Sequence, residues 1–144
     1  MEAPREILFK AKRKDNGEWV EGYYIYNEKH FIGHICIEHY IIPAIQWFEI
    51  DPTTLSQFTG LTDRNGNKIF ENDIAYIFAE DGYFHLHWEK DLAQFIMENY
   101  DDRFSVDFDN YWSHEIEVYG NIFDNRELLF PEEIDWDEVY ESEE

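Results

Sequence analysis

The sequence predicts a mainly β fold, with a barrel-like lobe, an amino-terminal β lobe and few short helices. Three observations predict it. Short runs rich in Val, Ile, Thr, Tyr, Phe and Trp recur along the chain, and these residues suit a pleated, half-buried surface. Asn16-Gly17, Asn65-Gly66 and Asp81-Gly82 punctuate the runs, supplying hairpin turns. Later segments alternate: Phe104, Val106 and Phe108 are interleaved with Ser105, Asp107 and Asp109, the period-two signature of a strand with one wet face.

Taken in order, "REILFKAKRK" reads as a strand, Asn16-Gly17 as a two-residue turn and "EWVEGYYIYN" as the returning strand. "HFIGHICIEHYII" is a third strand, interrupted by Gly33 and ended by Pro43, which has no amide to give a ladder. In "WFEIDPTTLSQFTGL", Pro52 extends Asp51, while Thr53, Thr54 and Phe58 favour a strand that Gly60 breaks. Asn65-Gly66 then turns the chain toward "NDIAYIF", and Asp81-Gly82 toward "YFHLHWE". "DLAQFIMENY" fits either a helix or a strand. "HEIEVYGNIF" alternates Ile116 and Val118 against Glu115 and Glu117. Beyond Pro131 an acidic helix is expected, with Trp136, Val139 and Tyr140 on one face. The expected organisation is one domain over 1–130, split into a β lobe at about 1–68 and a barrel-like lobe at about 69–130. An acidic tail follows at 131–144.

Composition narrows the function. Hydrophobic residues make up 44% of the chain, enough for a packed core. No run approaches the ~20 apolar residues of a membrane span. The start lacks a signal-peptide pattern, and Cys36 is the single cysteine, so a bacterial cytoplasm is the expected compartment. The formal charge is −22. Such a chain is expected to bind neither nucleic acid nor membrane directly, because both require cationic counter-charge. A basic host protein is the charged partner that fits, and self-association is left open.

Three segments show a resemblance to a known family: "REILFKAKRKDNGEWVEG", "SQFTGLTDRNGNKIFENDIAYI" and "EVYGNIFDNRELL". The central one is the most distinctive, through Thr59-Gly60-Leu61, Asp63, Asn65-Gly66, Ile69 and Asp73-Ile74. The last contributes Gly120-Asn121-Ile122 and Asn125. In these the sequence resembles the YopX family, small proteins of phages and prophages of mainly Gram-positive bacteria. The resemblance implies a mainly β architecture with an SH3-like lobe beginning at the Asp73-Ile74 strand. It brings no catalytic residue, cofactor or substrate. Family members commonly have glycine before the aspartate where Asn72 stands here, and asparagine tolerates the left-handed backbone that glycine would supply.

Local chemistry points to architecture more than reaction. The Thr59–Asp73 stretch has isolated glycines, Gly60 and Gly66, and none of the phosphate-cradling patterns, so Asp63 is expected to cap a turn. His30, His34, Cys36 and His39 cluster in sequence, as do His85 and His87, without zinc-site spacing. Neither a metal nor a cofactor is expected. Cys36 in an apolar strand lacks the setting of a nucleophile. The sharper alternative is electrostatic. If the strands carrying Asp107 and Asp109 and Glu115 and Glu117 are neighbours, four carboxylates share a face. Asp101 and Asp102 would extend it, and the face would mimic DNA phosphates toward a basic host protein. The reading favoured here is a non-enzymatic protein acting by protein contact. DNA mimicry is the alternative within binding, and a small metal-dependent hydrolase the alternative from another class.

Overall fold

The computed structural model describes residues 5–36, 44–101 and 104–131. Strands hold 56% of these residues and helical turns 8%, so the mainly β expectation holds. The chain divides into two compact units, Met1–Glu71 and Asn72–Glu144. The tail helix expected beyond Pro131 lies outside the described residues.

The first unit is a six-stranded antiparallel sheet. Its strands are β1 (Phe9–Lys12), β2 (Trp19–Asn27), β3 (Lys29–Cys36), β4 (Ala44–Glu49), β5 (Ser56–Thr62) and β6 (Lys68–Phe70), in the order β4-β3-β2-β1-β5-β6. β2 changes partner after Gly22: Trp19–Gly22 pair with β1 and Tyr23–Asn27 with β3. The end of β1 returns to the end of β4 through an Arg13–Ile50 bridge, with Lys14 N donating to the Glu49 carbonyl at 2.9 Å. Ala11, Ile32 and Ile50 are buried together inside this curl, and Phe9, Val20, Tyr24 and Leu55 pack against them.

The second unit is a five-stranded antiparallel sheet of β7 (Asp73–Ile77), β8 (Gly82–Glu89), β9 (Gln94–Asn99), β10 (Phe104–Asp107) and β11 (Ile116–Asn121), in the order β10-β9-β8-β7-β11. One short helix, α1 (Asn110–Ser113), precedes β11. The register sets Ala75 against Phe84 and Leu86 against Met97. These four side chains are at most 1% exposed and form the core face.

Several expectations need correction. Neither sheet closes into a barrel among the described residues; the lobe expected at 69–130 is an open sheet. Closure requires its two edges to pair, yet β10 has four residues and β11 is bulged between Val118 and Gly120. Thr53 and Thr54 lie in a 3-10 turn, Pro52–Thr54, because Asp51 caps it by accepting from Thr53 N at 3.0 Å. Gly60 does not end a strand: at φ +92° it sits inside β5, where the register to β6 shifts. In both Asn-Gly turns only the glycine has positive φ, so neither is the two-residue type that needs both positive. Between helix and strand, "DLAQFIMENY" resolves as β9.

Candidate functional site

The signature turn is built around a buried carboxylate. Asp63 is 3% exposed, and its Oδ1 accepts from the amides of Asn65 and Asn67, both at 2.9 Å. Gly66 N donates to the Asp63 carbonyl at 3.0 Å, and Asp63 N to the Asn67 carbonyl at 2.8 Å. The carboxylate is thus spent on orphan amides of its own turn. Thr59 Oγ1 donates to the Ile69 carbonyl at 2.8 Å and accepts from Leu61 N, tying β5 to the end of the loop.

The remaining signature residues lie in the second unit. Asn72 adopts φ +71°, the left-handed conformation foreseen for it, and hands the chain to Asp73 and Ile74, both 1% exposed or less. Asn121 pairs in register with Asp73 and is buried. Its Oδ1 accepts from the amides of Phe123 and Asp124 at 2.9 Å. Asn125 Oδ1 accepts from Asn121 N at 3.2 Å, and a β-carbon on Gly120 would collide with that Asn125 side chain. These residues close a second turn on its own backbone amides.

The strands that carry the acidic residues are not neighbours, as the alternative required, although the registers leave Asp107 and Glu117 on the same side of the sheet. β10 and β11 are the two outer strands of their sheet, with β9, β8 and β7 between them. At ~4.8 Å per strand this separates Asp107 from Glu117 by roughly 19 Å. Asp107 accepts from Gln94 Nε2 at 2.8 Å, and Asp109 caps α1 by accepting from Trp112 N at 3.1 Å. Glu115 and Asp101 are exposed; Asp102 lies outside the described residues.

The histidines are used singly or in a pair. His30 Nδ1 meets the Tyr24 hydroxyl at 2.5 Å, and His34 Nδ1 donates to the Glu21 carbonyl at 2.9 Å. His39 and the Cys36 side chain are outside the described residues. Among the described residues no three His, Cys, Asp or Glu side chains converge on a metal position.

His85 and His87 instead belong to a polar network that runs across β8 and β9. His85 is buried, with Nε2 at 3.2 Å from Asn72 Oδ1 and Nδ1 at 2.8 Å from the Tyr100 hydroxyl. Asn72 Oδ1 can only accept, so Nε2 carries the proton and Nδ1 accepts from Tyr100. Burial first, and then the neighbouring His87, lower the His85 pKa to about 4. Burial also raises that of Tyr100, with help from Glu98. His87 Nε2 sits 3.0 Å from Glu98 Oε2. The imidazole thus has both nitrogens engaged, beside a tyrosine held protonated. The network was readable in part: His85-x-His87 share a strand face, and the partner strand supplies Glu98 and Tyr100 on the same period. Asn72 joins only through its left-handed backbone.

The feature that sequence reasoning missed is an exposed apolar face in the first unit. The registers of β2 with β3 and β3 with β4 set Tyr23 across from Gly33 and Gly33 across from Trp47; Ile35 faces Ile45. With Ile25 these side chains occupy one side of the three strands, and all five are 39–52% exposed. The indole of Trp47 lies across Gly33, where a β-carbon would approach the ring to 2.5 Å. The signal was "YYIY": a run apolar at both parities cannot bury both sides of a sheet that has only one core.

A family model described as YopX protein matches residues 8–130. The chain belongs to the YopX family. The YopX match spans described strands of both units, β1 to β11, including the signature turn and the Asn121–Asn125 turn. It ends just before Pro131, where the acidic tail begins. A search of curated proteins returns no match. No helix among the described residues is long and apolar enough to cross a membrane.

Proposed function

We propose that this YopX-family protein is a non-enzymatic phage or prophage accessory factor that works in the bacterial cytoplasm through protein–protein contact. The observation behind this reading is the contiguous exposed face of Tyr23, Ile25, Ile35, Ile45 and Trp47, since apolar patches of several hundred Å² mark interaction surfaces. The curl of β1–β4, followed by a 3-10 turn and β5, supports an SH3-like assignment for the first unit in place of residues 69–130. DNA mimicry lacks the neighbouring acidic strands it was built on, with β10 and β11 at opposite edges.

A photo-crosslinking residue at Ile45, compared with one at Glu117, tests the proposal in a bacterial host. The expected outcome is a discrete protein adduct from position 45 that persists in high salt. An adduct from position 117 alone, lost as salt rises, would return the weight to a charged surface, because exposed charges are screened beyond ~8 Å at physiological ionic strength.

A further inference from the structure

Resting on the protein-contact reading above, we propose that the occupant of the β2–β3–β4 face is a second copy of the same chain, the two sheets meeting face to face. The first argument is area. Tyr23, Ile25, Ile35, Ile45 and Trp47 are 51%, 41%, 39%, 52% and 45% exposed. With large side chains burying 150–250 Å² at most, the patch is roughly 450 Å². A standard interface buries ~800 Å² per partner, of which ~57% is apolar, again roughly 450 Å². The face is the size of one side of a stable dimer.

The second argument is charge. Residues 1–71 hold eleven acids and eight bases, whereas 72–144 hold twenty-two and three. On the face itself, among the described residues, charge stands at the rim: Glu21 two residues before Tyr23, Lys29 beside the β2–β3 turn, and Glu49 tied to Lys14 Nζ at 3.3 Å. A basic partner gains nothing from such a surface. A matched partner must be apolar and near neutral there, and the face meets both conditions for its own copy. Two-fold pairing also leaves no surplus face to propagate an open fibre.

The test is sedimentation equilibrium of the full chain from micromolar to hundred-micromolar concentration, at low and high salt. A reversible monomer–dimer equilibrium is expected. It should tighten several-fold between about 0.01 M and about 1 M salt, because shortening the screening length from ~30 Å to ~3 Å removes repulsion between the acidic second units. Trp47→Glu should weaken the dimer by at least about tenfold, since it buries an unpaired charge. The gentler Ile35→Thr should weaken it by about threefold or more, and Phe78→Ser on the second unit should leave it unchanged. Circular dichroism confirms that each variant folds.

A monomer at every concentration, or a dimer indifferent to both Trp47→Glu and Ile35→Thr, overturns the proposal. Iodide quenching, compared between the wild type and Trp47→Phe, then separates two failures. If Trp47 is freely quenched in the monomer, the face is open and the broader contact reading stands with another occupant. If Trp47 is shielded, the face is covered by the chain's own residues, and both readings fall.

Discussion

The two units reach a folded sheet by opposite surface strategies. The first is nearly balanced in charge, at −3 over residues 1–71, and exposes a large apolar face on β2–β4. The second carries −19 over residues 72–144, leaves Phe78, Trp88, Leu92 and Tyr119 exposed outside its β7–β9 core face, and threads a polar network across the strands. High net charge keeps a chain apart from its neighbours at some cost in compactness. With that repulsion concentrated in one unit, the other can present hydrophobic surface without indiscriminate association. Net charge, more than exposed apolar area, distinguishes the two halves of the chain.

The comparison is tested most strongly through the cores. Phe84→Ala should cost about 3–5 kcal/mol and Ile32→Ala about 2–5 kcal/mol, each read from urea unfolding. If the units hold separate cores, each variant should shift the signal of its own unit first. A single coincident transition shifted equally by both variants would show that the units unfold together and blur the contrast.

Smaller, and confined to the first unit, is the effect of Asp63→Ala. It strips the acceptor from two amides of the signature turn, which should cost about 2–3 kcal/mol. Hydrogen exchange at Asn65 and Asn67 should accelerate, while amides of β8 and β9 keep their protection. Unchanged protection at both amides would remove Asp63 from its role as the turn's cap.

Smaller again is a pH effect confined to the second unit. The folded pKa of His85, about 4, lies below its ordinary value of 6.5. Between those values the unfolded chain binds a proton that the folded chain refuses, so stability falls as pH drops and is fully present above about 6.5. From pH 7 to pH 5 the loss from this one group should be about 1–2 kcal/mol. His85→Gln should abolish that part of the slope. Relief of repulsion as carboxylates protonate acts with the opposite sign, so the measurement is the difference between variant and wild type in urea titrations at the two pH values.

How much of this was legible depends on range. Local pattern found the strands well, because alternation at 104–108 and 116–118 and the β-branched runs report a half-buried pleat directly. It failed where a side chain overrode propensity: Thr53 and Thr54 have strand character, but the Asp51 cap and Pro52 turn them into a 3-10 segment. It failed again where sheet order mattered. The segments at 104–109 and 115–118 are close in sequence, yet a return through α1 carries β11 to the far side of β7, and no pairwise alternation encodes that route. The signature residues were readable as turn formers. The apolar face was not, because single-strand patterning does not say which parity faces the core until the neighbours are known.

Trp47 draws one last consequence from its place over Gly33. With no β-carbon beneath it, the indole lies down along the pleat and does not stand up as a knob. The centre of the face therefore lies low, which suits another flat layer at ~10 Å spacing. The β-carbon that Gly33 lacks sets how low the centre of that face lies.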